Sequence, residues 1–295
     1  MILLAVAVLA GVGLAFAIVI AFADRKLRVW EDPRIDAVEM LLPSANCGGC
    51  GLPGCRAFAE QVVIGTVKPA QCNVLSTEGK EAIASFLGVD AGKAQRRVAR
   101  VLCAGGSHVA MQQAEYRGHQ TCAAAAAVAG GGKGCAWGCL GLADCVRSCA
   151  FGAIRMSADG LPLVDPDKCT ACGDCVRDCP KDLFALLPVE QALLVQCRNL
   201  VAGDDVLEDC RAACTSCGKC VMDAAPGLIS IASGVAVVDS SLIDAANTRA
   251  VERCPTGAIV WLTGAQFIGR PAPLAALNAT PQGARVAPQL IGSAS

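Results

Sequence analysis

The chain has 295 residues, enough for two or more small domains. Its 25 Lys and Arg balance 26 Asp and Glu to a net charge of −1, which excludes nucleic-acid binding by charge. Aromatic residues are only 4% of the chain, so large aromatic cores are not expected throughout; twenty cysteines stand out instead.

Residues 2–23 form an apolar run without a charge, long enough to span a bilayer as one helix. Asp24, Arg25, Lys26 and Arg28 follow at once, and basic residues just after a span keep the rest of the chain in the cytoplasm. A cleaved signal peptide is the competing reading, with Ala21-Phe22-Ala23 as the cleavage site. The missing basic n-region and the length of the run argue against it.

Residues 24–45 read as a polar linker, and 46–75 as a compact cysteine and glycine module. Residues 76–132 are expected to be a mainly helical connector, whose alanine-rich stretch 123–129 stops at Gly130-Gly131-Gly132. Residues 133–190 read as a two-cluster ferredoxin-like domain and 191–265 as a degenerate copy with one cluster. Residues 266–295, rich in Ala, Pro and Gly, are expected to be a disordered tail. The repeat is visible as Cys149-Ala-Phe-Gly-Ala-Ile154 against Ala224-Ala-Pro-Gly-Leu-Ile229, and as Cys179-Pro180 against Cys254-Pro255. The fold class is α+β: one transmembrane helix, a small iron–sulfur module and tandem ferredoxin-like units.

The cysteine spacings carry the chemistry. Cys169-Thr-Ala-Cys172-Gly-Asp-Cys175-Val-Arg-Asp-Cys179-Pro180 is the C-x2-C-x2-C-x3-C-P run of bacterial [4Fe–4S] ferredoxins. Its companion, Cys135-x3-Cys139-x5-Cys145-x3-Cys149, has longer gaps and Ala150 in place of proline. In two-cluster ferredoxins the fourth cysteine of each motif serves the other cluster. That rule groups Cys135, Cys139, Cys145 and Cys179 for one cluster, and Cys149, Cys169, Cys172 and Cys175 for the other. The second copy keeps Cys214, Cys217, Cys220 and Cys254 as one complete set. Ala224, Asp244, Asn247 and Ala250 stand where the other set would be, so one whole site is erased. Upstream, Cys47, Cys50 and Cys55 crowd one glycine-rich loop with Cys72 further on, a spacing that suits a cubane better than zinc. Glycines let such a loop wrap a cluster and turn N–H groups toward its sulfurs.

Four [4Fe–4S] clusters are therefore expected. At about −2 for each oxidised core with four thiolates, they take the holoprotein to roughly −9, which suits a basic docking patch on a partner. Disulfides are the alternative for so many cysteines, but C-x2-C and C-x3-C groups pair poorly with themselves, and thiolate ligands need a reducing compartment. Cys103, Cys122, Cys197 and Cys210 remain. They read first as small buried hydrophobes, with a fifth cluster from these four, or Cys210 as an alternative to Cys214, as the other readings. His108 and His119 read as solvated or hydrogen-bonded side chains. No G-x-G-x-x-G turn is placed between a strand and a helix, and no phosphate-binding loop or nucleophilic triad can be picked out, so no catalytic acid, base or nucleophile is expected.

Asn46-Cys-Gly-Gly-Cys-Gly-Leu-Pro-Gly-Cys-Arg-Ala-Phe-Ala-Glu60 resembles the iron–sulfur module of the B-type subunit of the Rnf/Rsx electron transport complex. Gly138-Cys-Leu-Gly-Leu-Ala-Asp-Cys-Val-Arg-Ser-Cys-Ala-Phe-Gly-Ala-Ile154 resembles the long form of the same protein, and helix, module and ferredoxin domain stand in that order. The resemblance implies a component of an inner-membrane complex, single-pass and facing the cytoplasm, that couples electron flow between ferredoxin and NAD to Na+ or H+ transport. Its partners would be the other members of the complex and ferredoxin or a similar low-potential carrier. A second reading is a module that reduces an iron–sulfur transcription factor, as related Rsx complexes are thought to do. The erased cluster departs from the longest family members.

Overall fold

A computed structural model of the chain describes residues 2–27 and 31–267. The expected tail from 268 onward lies outside the described residues. The chain divides into two units, the first holding 1–46, 52–69 and 75–91, the second holding 47–51, 70–74 and everything from 92 on.

The first unit is helical. Helix α1 (Ile2–Leu27) has 26 residues, about 39 Å at 1.5 Å per residue against a hydrocarbon core of about 30 Å. None of its side chains between Val6 and Leu27 is buried, and by length and composition it could cross a membrane. Helix α2 (Pro33–Leu41) starts with proline at its first turn and Asp32 as cap, whose carboxylate accepts the Arg34 N–H at 2.9 Å. Helices α3 (Cys55–Ile64) and α4 (Thr77–Leu87) each end on a left-handed glycine, Gly65 and Gly88. Ile35, Val38, Phe58, Ala59, Val62 and Ile83 form the buried faces of these helices. Arg56 ties α3 to α2 through Asp36 at 2.5 Å and Glu39 at 2.8 Å, with Glu31 as a third carboxylate.

The second unit contains a repeated ββ layout. Its strands are β1 (Arg97–Val101), β2 (Ile154–Met156), β3 (Pro162–Val164), β4 (Phe184–Pro188), β5 (Leu193–Val195), β6 (Ile229–Ala232), β7 (Val235–Val238) and β8 (Ile259–Trp261). In the first repeat β1 pairs antiparallel with β4, and β2–β3 is a hairpin. In the second, β5 pairs with β8, and β6–β7 is the hairpin. Short helices follow α5 (Cys122–Ala127): α6 (Asp144–Arg147) and α7 (Asp174–Arg177) in the first repeat, then α8 (Val206–Asp209), and α9 (Lys219–Asp223) and α10 (Arg249–Glu252) in the second. Each repeat thus runs outer strand, helix, hairpin, helix, outer strand.

Each repeat has its own core. Val98, Val101, Ile154, Leu161, Val164, Leu183 and Phe184 fill the first, and Leu193, Leu228, Ile229, Ala236, Ala250 and Ile259 the second. At the positions read from the sequence as an erased set, Ala250 is buried, Ala224 packs against the same core with the neighbouring Ala246, and Asp244 and Asn247 face solvent.

Two sequence expectations change. The connector at 76–132 is helical mainly at 77–87 and 122–127, and it supplies β1, the outer strand of the first repeat. Residue 266 does not begin a loose tail. Gln266 is 1% exposed, and its amide pairs with both backbone groups of Val101, accepting the N–H at 2.7 Å and donating to the carbonyl at 2.9 Å.

Candidate iron–sulfur sites

Three cysteine loops share one backbone wind. The residues two and four places beyond the first cysteine are left-handed in all of them: Gly141 and Ala143, Ala171 and Gly173, Ser216 and Gly218. Ala143, Ala171 and Ser216 bear side chains, and that conformation costs them about 1–3 kcal/mol each. Such turns form the backbone nests that cradle anionic groups. Each loop then enters a four- or five-residue helix carrying a buried cysteine: Cys145 on α6, Cys175 on α7 and Cys220 on α9.

Three hollows open against these loops. Cys214, Cys217, Cys220 and Cys254 line one. Cys149, Cys169, Cys172 and Cys175 line another. Cys122, Cys139, Cys145 and Cys179 line the third. Cys149 and Cys179 therefore each face the hollow of the opposite motif. Backbone N–H groups donate to sulfur around them: Ala99 to Cys169 at 3.4 Å, Ala153 to Cys149 at 3.3 Å and Leu183 to Cys179 at 3.4 Å. Donors of this kind stabilise thiolate and tune a bound metal.

The third hollow departs from the expected grouping. Cys122, at the start of α5, stands with Cys139, Cys145 and Cys179, and Cys135 does not. The reason lies in the loop itself. Leu142 occupies the position that Cys172 and Cys217 hold in the other two loops, so the short motif supplies one thiol too few. Spacing alone could not find the replacement, because Cys122 comes from a separate helix 17 residues before Cys139. Cys135 lines a fourth hollow with Cys103, Cys197 and Cys210. Cys210 lines this hollow, whereas Cys214 lines that of the second repeat.

The upstream cysteines divide between the two units. Cys55 opens α3, with its N–H held by the Asn46 side chain at 2.8 Å. Cys47, Cys50 and Cys72 lie on the short segments 47–51 and 70–74 of the second unit. These segments sit against the first repeat. Asn73 accepts the Arg97 N–H at 2.7 Å and donates to the carbonyls of Arg97 and Thr170 at 3.1 Å each. A Cβ on Gly49 would stand 2.6 Å from the Thr170 oxygen, an approach only glycine permits.

The donor set fits iron–sulfur clusters. All twenty cysteines are free thiols. Among the described residues no three His, Cys, Asp or Glu side chains converge as a single ion requires. Zinc draws each sulfur to about 2.3 Å, whereas a four-iron core spreads its thiolates further apart around a larger body. Burial pushes the Cys139, Cys145 and Cys175 thiols up to about 12 and Cys220 to about 11. Thiols so reluctant to ionise release their protons to a strong Lewis acid, so metal loading displaces protons.

A family model described as "Putative Fe-S cluster" matches residues 42–74, and one described as "4Fe-4S binding domain" matches 161–187. The chain is 44% identical over 72% of its length to the B-type subunit of the Na(+)-translocating ferredoxin:NAD(+) oxidoreductase complex of Acetobacterium woodii, a match spanning 64% of that protein. It is 37% identical over 84% of its length to the corresponding protein of the proton-translocating ferredoxin:NAD(+) oxidoreductase complex of Clostridium ljungdahlii, covering 88% of it. With its counterpart in the ion-translocating oxidoreductase complex of Methanosarcina acetivorans it shares 34% identity over 86% of the chain and 96% of that protein. With helix, cysteine module and tandem ferredoxin-like repeats in one order, the chain belongs to the family of B-type subunits of these Rnf-type ion-translocating oxidoreductase complexes.

Proposed function

We propose that this chain is the electron-relay component through which ferredoxin exchanges electrons with an Rnf-type complex, and that it is held at the cytoplasmic face of the membrane by α1. The observation that carries the reading is the set of three hollows in the tandem repeats, each lined by four cysteines. Cys47, Cys50, Cys55 and Cys72 are the fourth set, by their spacing in the sequence. A bound [4Fe–4S] cluster supplies one-electron chemistry. The chain contributes the thiol ligands, the N–H groups directed at sulfur, and burial, which together set a cluster's potential. No side chain is assigned as acid, base or nucleophile.

The packing supports a relay. Cys145 on α6 and Cys149 just after it line different hollows, as do Cys175 on α7 and Cys179 just after it, so the two sites of the first repeat share the short helices. The segments bearing Cys47, Cys50 and Cys72 pack on β1 and the Cys169 loop through Asn73 and Gly49. Arg25 and Lys26 at the end of α1 support the cytoplasmic placement. The names of the Acetobacterium and Clostridium relatives support ferredoxin and NAD as the redox partners and Na+ or H+ as the coupled ion.

Metal analysis of the anaerobically purified full chain tests the reading. Iron and acid-labile sulfide in equal amounts, at least about sixteen of each per chain, are expected from four cubanes. Stoichiometric zinc with little iron would overturn it.

A further inference from the structure

We propose that Cys103, Cys135, Cys197 and Cys210 hold a fifth [4Fe–4S] cluster, seated between the two repeats and joining them electronically. The inference rests on the iron–sulfur reading above and adds a site to it.

The four thiols line one hollow, and no other cysteine lines it. The other three hollows are likewise lined by four thiols each. Cys103, Cys135 and Cys210 are buried, and Cys135 and Cys210 belong to a separate apolar cluster with Ala104, Val109, Val206 and Ala213. Cys197 is half-buried, and all four thiols ring this one shared hollow.

Each repeat gives the same two thiols. Cys135 stands four residues before Cys139, and Cys210 four before Cys214. Cys103 lies two residues beyond Val101, which pairs with Phe184; Cys197 lies two beyond Val195, which pairs with Ile259. The hydrogen bonds repeat as well. Cys103 Sγ accepts from the N–H groups of Gly105 and Cys139, both at 3.4 Å. Cys197 Sγ accepts from those of Asn199 and Cys214, both at 3.4 Å. Chance burial does not produce the same pair of thiols with the same pair of donors twice.

The walls suit an anionic guest. The buried Asn199 amide approaches Cys135 Sγ at 3.9 Å. A Cβ on Gly105 would stand 3.1 Å from Cys210 Sγ and 3.6 Å from Cys103 Sγ, so a side chain there would crowd the sulfurs. Lys133 is held at the wall by the carbonyls of Gly105 and Cys139, at 2.6 and 2.5 Å, and offsets the charge of about −2 on an oxidised cluster with four thiolates.

The position gives the site its purpose. Cys139 lines the neighbouring hollow of the first repeat and Cys214 that of the second, and each donates its own N–H to a sulfur of this set. One electron arriving from one repeat can leave to the other, with no bond made or broken.

The test is iron and acid-labile sulfide on the anaerobically purified full chain and on its Cys103→Ala/Cys210→Ala double variant. The unmutated chain is expected to hold about twenty of each, four per cubane, and the variant to lose one fifth. Sixteen iron in both, or sixteen iron with one zinc in the unmutated chain, would overturn the fifth site and leave the other four standing. Little iron in the unmutated chain would remove the wider iron–sulfur reading with it. Should the double variant fail to fold, the count on the unmutated chain still decides.

Discussion

Leu142 shows how one residue redirects a site. The Cys139 loop keeps the left-handed pair at Gly141 and Ala143, the same wind as its counterparts, but offers a leucine where they offer a thiol. Cys122 supplies the fourth sulfur from α5, and Cys135 is released to the hollow between the repeats. Gln266 acts at the same scale. Its amide completes the hydrogen bonding of Val101, the last residue of β1, in a place without solvent. Gln266→Ala leaves a buried N–H and carbonyl unpaired and should cost about 1–3 kcal/mol. A lower denaturation midpoint of the anaerobic holoprotein, with iron content unchanged before unfolding, is the expected result; an unchanged midpoint would show that the amide is dispensable.

At the scale of elements, the hairpins and short helices of both repeats are legible in the sequence. They are announced by local signals: glycine turns at Gly160 and Gly234, and cysteine motifs spaced for a loop that runs straight into a helix. The outer strand β1 is not. Arg96, Arg97 and Arg100 recur at helical spacing, and only pairing with β4, more than eighty residues later, makes the segment a strand. The thiol sets follow the same division. Sets built within one motif or between adjacent motifs can be read from spacing, whereas Cys122 and the Cys103, Cys135, Cys197 and Cys210 set are brought together by tertiary structure across 17 to 107 residues. The second repeat allows a clean test. Cys254→Ala should remove about four iron and one reducible centre, since that thiol stands with Cys214, Cys217 and Cys220. Asp244→Ala, on an exposed residue of the set read from the sequence as erased, should leave iron content and the EPR spectrum unchanged. A loss at Asp244 would show that the erased site still binds metal.

At the scale of the whole molecule, the chain combines an apolar helix that meets the length of a bilayer with thiol sets distributed along everything that follows. Tandem repeats place two thiol sets in the first copy and one in the second, and a further set is made up of residues of both copies. On the proposed function the chain is a relay, and its thiol sets are the sites that test it. Mixing the anaerobic full chain with reduced ferredoxin tests this most directly, with cluster absorbance followed in time. The account predicts bleaching of the chain's clusters by ferredoxin, about one electron per cluster. Clusters that stay oxidised with reduced ferredoxin in excess, yet accept electrons from a small chemical reductant, would contradict it.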